Sequence, residues 1–493
     1  MVLAVYIALS AFPCALAASP VDPRPGLEAL RSGRFPEAWS RFDRLARETP
    51  SAPEGPFFQA FHLWWQILDE PRGQEAIRAR MEERLEEAVR LARLLEAGDS
   101  ASEEERALVY AGVSQLLLAQ SRASRGAHMS AASAARQGHK ALRLALEQRP
   151  DCAEALFGMG AYDYYADNVP VLVKGLRLFL FIPGGNEQRG IARLEAAAGG
   201  SGLFATESLM LLAHIYSGGF EEDYRRAVTY MERVRQRHPA SPLVSLAHAD
   251  LLFDLGKLSE SLRMARSALD IASGDPAYPE ELVRLAAFRV AACTLKLHDP
   301  AGAIRRIESG LSLAPPRTPG DKRRWLGLLA AALRETGEPQ RIEAWLAPLG
   351  LAESEARSVL EKARSFPPDP VASRRAAALS TLAAGGVEDA RDGLERLLKA
   401  NPDDPRLHYD LGRLLQQQGR LAEARPHLQA AAAAAPPDLA GWAMVRLGWD
   451  LERDGQRLQA LPLYRRAAEM KQFTFQAAAR DLLSHPADGQ PEG

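Results

Sequence analysis

Two pairs of residues have the types that acid–base chemistry needs, His248 with Asp250 and His408 with Asp410. An imidazole oriented by a carboxylate can take or deliver a proton near neutral pH. The members of each pair stand two positions apart, and on a helix that spacing turns them to different faces, so neither pair can act as a unit. The remaining histidines are scattered, and no HExxH, GxSxG, GxxxxGK[ST] or strand-linked GxGxxG occurs. Glu103, Glu104 and Glu105 follow Ser102, the pattern of a capped helix start with acids at the positive end of the dipole rather than of a cation site. The expectation is no catalytic residue, no metal, no cofactor and no enzymatic activity.

The whole chain points the same way. Its 61 Lys and Arg against 63 Asp and Glu leave a formal net charge of -2, which argues against a general nucleic-acid or membrane-coating protein. With 47% hydrophobic and 25% charged residues, it has the composition of a folded protein. From Val2 to Leu16 the chain is almost uninterrupted apolar and closes on Ala15, Ala17 and Ala18, without the basic residue that usually precedes such a run. Residues 1–18 therefore read as a secretory signal peptide cut near Ala17 or Ala18, giving an exported, periplasmic or secreted protein. That run is too short for a comfortable membrane span. The two cysteines beyond it, Cys152 and Cys293, have no CxxC spacing and read as buried small side chains.

The elements are helices, and they recur. Leu411, Gly412, Leu415, Gly419, Ala424, Leu428, Ala431 and Pro436 form an ordered set. A spacing of 34 residues links it back to Gly385, Ala390, Leu394, Leu397 and Pro402, and a spacing of 36 leads on to Leu447, Gly448, Leu451, Gly455, Ala460, Tyr464 and Ala467. Gly412 and Ala424 fall where two helices approach most closely, Gly419 suits the turn between them, and Pro436 stops the second helix. Looser copies include Gly26, Gly33, Ala38, Phe42 and Leu45 near the start and Leu329, Ala330, Leu333, Gly337 and Leu346 further on. Between 51 and 140 the pattern is weak but still helical, and no β-rich run appears.

This set resembles the tetratricopeptide repeat, a pair of antiparallel helices of about 34 residues. The resemblance implies an all-α, right-handed superhelical solenoid of about ten repeats, whose first helices line an extended concave surface that binds proteins or peptides. The expected layout is N-terminal repeats over 19–150, middle repeats over 151–365, C-terminal repeats over 366–483 and a disordered tail over 484–493. Proline-rich stretches at 314–319 and 366–370 are expected to bend or interrupt the superhelix.

One repeat carries an insertion of about 18 residues at 167–184, between Gly160 and Gly190. It is apolar, and Tyr162, Tyr164, Tyr165, Phe179 and Phe181 make it a second candidate contact site, either packed under the neighbouring turns or held for a partner. Around 169–198 the chain is also faintly similar to tetratricopeptide proteins of mitochondrial inclusion-body clearance. The insertion cannot span a bilayer, being short and carrying Lys174 and Arg177.

The repeat register places Arg375, Arg406, Tyr409, Arg413, Gln416, Trp442, Trp449 and Arg453 on the exposed face of the C-terminal first helices. Arg and aromatic side chains dominate many binding surfaces, and guanidinium groups suit carboxylates, so these are the expected protein-binding residues. They depart from the carboxylate clamp of chaperone-tail receptors, which has Lys and Asn where this chain has Arg375 and Leu379. The opposing expectation is that the arginines solvate the face while the tryptophans pack on a final helix over 473–483. The leading function is an exported, non-enzymatic scaffold or assembly factor that binds a protein or peptide, and not nucleic acid. The alternatives are a lipid- or membrane-surface protein acting through the insertion and an all-helical enzyme without a recognisable motif.

Overall fold

The computed structural model describes residues 22–69, 74–98, 100–168, 183–218, 223–434, 436–470 and 475–487. Among them there is no strand. The described residues form two compact units, the first comprising those up to 218 together with 229–239, the second 223–228 with 240–487. The divisions expected near 150 and 365 both lie inside these units. The proposed signal peptide, most of the insertion and most of the tail lie outside the described residues.

The first unit contains α1 (Arg24–Ser32), α2 (Phe35–Glu48), α3 (Glu54–Asp69), α4 (Glu75–Glu96), α5 (Ala101–Ser124), α6 (His128–Gln148), α7 (Ala153–Asp167), α8 (Glu187–Gly199) and α9 (Ala205–Gly218). Helix α10 (Tyr224–Arg237) has residues in both units. The second unit continues with α11 (Pro242–Asp254), α12 (Leu258–Gly274), α13 (Glu280–Lys296), α14 (Pro300–Leu313) and α15 (Pro319–Glu335), then a 3-10 helix (Pro339–Trp345) and α16 (Leu346–Leu349). It ends with α17 (Glu353–Arg364), α18 (Pro370–Ala383), α19 (Val387–Ala400), α20 (Pro405–Gln417), α21 (Leu421–Ala434), α22 (Pro437–Arg453), α23 (Arg457–Glu469) and α24 (Phe475–Ser484).

Successive helices pack as hairpins, and the repeat register explains why. A Cβ on Gly412 would stand 2.8 Å from Leu428 Cγ, so α20 and α21 touch only because this side chain is missing. Gly448 meets Tyr464 and Gly26 meets Phe42 in the same relation, at opposite ends of the chain. Gly419 turns the chain between α20 and α21 at φ 76°, in the left-handed region that glycine enters without steric cost. The equivalent turn between α13 and α14 is made by His298 at φ 64°, which is strained for a residue with a Cβ.

One repeat is irregular. After α15 the second helix is replaced by the 3-10 turn and the four-residue α16, bracketed by Pro339 and Pro348 and closed at Gly350 with φ 57°. Proline inside a helix removes a backbone donor and clashes with the preceding turn, which disfavours a continuous helix here, although α21 and α23 run on through Pro426 and Pro462. The proline-rich stretches 314–319 and 366–370 separate α14 from α15 and α17 from α18. Helix α5 starts at Ala101, two residues before the acids, and its cap position, Ser100, makes no side-chain cap bond. Glu103 and Glu104 lie in the first turn as a dipole argument requires.

The first unit is filled by aromatic side chains. Phe57 packs edge-on against Tyr110 at 5.1 Å and Phe204 at 5.9 Å between ring centres, and Phe61 lies 5.6 Å from Phe204. Phe204 precedes α9, some 140 residues beyond α3 in sequence, so this cluster draws distant hairpins of the unit together.

Candidate functional site

The expected exposed face of the C-terminal first helices is largely buried, although Arg375, Arg406 and Trp442 of the predicted set border a groove. Arg375, Tyr409, Arg413, Gln416, Trp442 and Trp449 are at most 6% exposed. Three turns of the same unit cover α18, α20 and α22. Gly337 accepts a hydrogen bond from Asp369 N at 2.9 Å, and Thr336 O accepts one from Ser373 Oγ at 2.6 Å. The His298 ring stands 5.4 Å from that of Tyr409, with Asp299 accepting from Ser380 Oγ at 3.0 Å. Trp442 packs against Gly256 and, 6.2 Å between ring centres, against Phe475 of α24. The register is as expected; the exposure is not, because repeats earlier in the unit occupy the face. Arg406 is half-buried and Arg453 alone of the eight is exposed, its guanidinium 5.0 Å above Trp449.

The covered face holds a charged network. Arg375 bridges fully buried Asp410 and, at 2.8 Å, Glu335. Burial alone would pull its pKa down, but Asp410 and Glu335 hold it above the arginine range. Arg446 donates to Tyr409 Oη at 3.2 Å and to Gln416 Oε1 at 3.0 Å, and Gln416 donates to Asp450 Oδ1 at 2.7 Å. Burial pushes the Asp450 carboxyl up despite that bond. Burial lowers Arg413, Asp410 opposes it and Arg446 adds to it, and Arg413 Nε has no hydrogen-bond partner among the described residues. His298 lies among these cations. Burial, then Arg413, Arg375 and Arg446, depress its pKa well below the usual imidazole range.

Beside this network the second unit is open. A groove of about 1410 Å³ runs over α13, α15 and the start of α18, rimmed by the 366–370 segment and the starts of α20 and α22. Helix α15 turns one stripe into it, Arg324, Gly327, Leu328, Ala331 and Arg334, at the spacing of successive helical turns. Phe288 and Leu295 of α13 face that stripe, with Phe366, Pro367, Pro370, Pro436 and Trp442 along the rim. The irregular repeat after α15 gives way here to the proline-rich connection at 366–370, which forms part of the wall.

The sequence profile of the tetratricopeptide repeat matches residues 220–276 and 375–438. In these two stretches the chain carries tetratricopeptide repeats. The first stretch runs from the end of the first unit into the second, and the second stretch covers most of α18, with α19, α20 and α21. Among solved structures, the yeast Tom70 aligns with a TM-score of 0.32 and 13% identity over 92% of this chain and 95% of that one. The P58(IPK) TPR domain aligns with a TM-score of 0.24 and 14% identity over 90% of this chain and 98% of that one. No curated protein matches the chain. The tetratricopeptide repeat is a protein-interaction scaffold, and the matched stretches support that role in coarse terms.

The second candidate site divides differently. Tyr162 and Tyr164 are buried, Tyr165 is 46% exposed, and Phe179 and Phe181 lie outside the described residues. Both ends of the insertion are pinned to this repeat. Tyr162 Oη donates to Pro183 O at 2.7 Å, Glu187 N donates to Asp167 at 3.0 Å, and buried Asp163 is held by Arg189 at 2.8 Å and by Arg193. Packing thus accounts for two of the three tyrosines. Cys152 and Cys293 are buried and unbridged, in different units. Among the described residues no group of three His, Cys, Asp or Glu could hold a metal ion, and no helix is long and apolar enough to cross a membrane.

The tetratricopeptide register could have named α15 but not its opening. Leu329, Leu333 and Gly337 were legible as repeat positions, and the complementary stripe at 324, 327, 328, 331 and 334 is the face they leave over. What sets this repeat apart is the short 3-10 turn and α16 where a second helix belongs.

Proposed function

We propose that this chain is an exported, non-enzymatic tetratricopeptide protein that binds an extended segment of another protein in the groove of its second unit, as a scaffold or assembly factor. The observation that carries the reading is the groove itself. At about 1410 Å³ it exceeds the volume usual for a small-molecule pocket, and its lining of Phe, Leu, Pro and Trp suits alternating side chains of an extended chain. Export rests on the apolar run Val2 to Leu16 and the small residues that end it. A mass measurement on protein from its native host tests that part, since an intact 1–18 segment would remove it.

Gly327 supplies the test of the groove. It is exposed, and nothing beyond its chain neighbours and its own helix backbone lies within 4 Å of the position its Cβ would take. Gly327→Trp should obstruct the middle of the α15 stripe without disturbing the fold. Affinity capture with wild type and with this variant, both melting alike, should show partner proteins lost from the variant. An unchanged set of captured proteins would place binding elsewhere.

A further inference from the structure

The groove does not balance its own charge. Four carboxylates line it against five Lys and Arg side chains, and three of the four are paired with arginines within the protein. Glu335 is held by Arg375 at 2.8 Å. Arg406 reaches Asp369 at 2.9 Å and Asp404 at 2.8 Å, and both of these acids also accept backbone N–H bonds at the starts of α18 and α20. Asp438 accepts from Leu439 N at 3.0 Å in the first turn of α22. The cations on the other wall are not so engaged. Lys296 and Arg324 have no carboxylate within 4.0 Å among the described residues, and Arg334 only approaches Glu335 at 3.5 Å. Asp250, the acid within electrostatic reach of Arg324, is taken by Arg289 at 2.6 Å.

Both arginines are also aimed. The Arg324 guanidinium lies 4.9 Å above the ring of Phe288 and that of Arg334 lies 5.6 Å from the ring of Phe366, and both rings line the groove. Stacking on an aromatic face uses the flat side of a guanidinium and leaves its in-plane N–H groups to a ligand. Ten residues apart on one helix, the two arginines stand about 15 Å from each other. That distance is covered by about five residues of an extended chain.

Resting on the groove-binding reading above, we infer that the bound segment is acidic: an extended stretch of a partner protein in which carboxylate side chains flank apolar ones, the carboxylates pairing with Lys296, Arg324 and Arg334 while the apolar groups enter between Phe288, Leu328 and Trp442. Oppositely charged rims of this kind set specificity and association rate more than total affinity. The chemistry needs no free C-terminus on the ligand, because the cations are spread along α13 and α15 rather than gathered at one point.

A library of random dodecapeptides displayed on phage tests this on the full chain. Selection on wild type should enrich Asp and Glu next to Leu, Phe or other apolar residues. The Lys296→Glu, Arg324→Glu double variant should lose that acidic bias and bind the selected peptides about tenfold more weakly, the wild-type affinity falling with added salt. Arg324→Glu alone, at an exposed position, serves if the double variant melts early. Enriched peptides without acidic bias, or an acidic bias unchanged by charge reversal, overturn this inference and leave the groove reading standing provided Gly327→Trp abolishes selection. Enrichment that survives Gly327→Trp, or none from wild type, overturns both.

Discussion

In the first unit the hairpins that meet across long stretches of sequence present Phe57, Phe61, Tyr110 and Phe204 to one another. In the second, the corresponding meeting of His298 with α18, α20 and α22 is made by Arg375, Asp410, Arg413, Arg446 and Asp450. Aromatic filling gives burial energy directly and tolerates imperfect charge balance nearby. Charged filling gives little net stability, because removing ions from water offsets most of their attraction, but it punishes the loss of any single partner. The two units thus solve the same packing problem with materials that fail in different ways. Self-packing also buries much of the first-helix face of α18, α20 and α22, and leaves open beside it the groove over α13, α15 and the start of α18.

The largest expected effect is Asp410→Ala. It strips Arg375 of a buried partner among three buried guanidinium groups and should cost about 3–5 kcal/mol, read by urea unfolding, with amide exchange rising in α18, α20 and α22. Replacing both members, Arg375→Met with Asp410→Leu, should restore most of that loss. If the double replacement is as damaging as the single one, the network contributes more than neutral packing and the contrast between the units is wrong. In the first unit, Phe204→Ala should cost about 3–5 kcal/mol by cavity formation, with no rescue from a charge-neutral partner change.

Acid should sharpen the contrast within the first unit itself. His62 is 3% exposed, and burial lowers its pKa from 6.5 to about 4. The folded state therefore binds fewer protons than the unfolded chain, and the stability this residue contributes is present above pH 6.5 and lost as pH falls through about 4. The full loss is about 3 kcal/mol. His62→Phe should flatten stability against pH over that window, and an unchanged slope would mean the imidazole is not held neutral. His298 acts with the same sign in the second unit.

Smaller effects test the register. Gly412→Leu forces a side chain into Leu428 and should destabilise by about 1–3 kcal/mol in a thermal melt, mostly within neighbouring repeats. Gly327→Ala should do the reverse, stabilising α15 by about 0.5–1 kcal/mol, because the site is open and helix propensity improves. Equal behaviour of the two glycines would remove the distinction between a crossing glycine and a groove glycine.

Much of the fold was legible in residues whose reason is local. Gly412, Gly419, Ala424 and Pro436 each satisfy a requirement inside one hairpin, so their spacing reveals hairpins wherever it recurs. The exposure of Arg375, Arg413 and Trp449 was not legible, because what covers them comes from other repeats of the unit. His298 shows the difficulty plainly. It occupies a turn where neighbouring repeats carry glycine, and only the folded unit shows its ring set against Tyr409. The groove was hidden for the complementary reason, since it is built from residues of several repeats rather than from a motif.

Site-specific photo-crosslinking tests the central claim most directly. Benzoylphenylalanine placed at Leu328 on the groove, and in a separate variant at Arg453 on the exposed end of α22, should be irradiated in the native host. Adducts between this chain and a second protein should form from position 328 and not from 453. Adducts from 453 with none from 328 would contradict the account and return the binding surface to the C-terminal first helices.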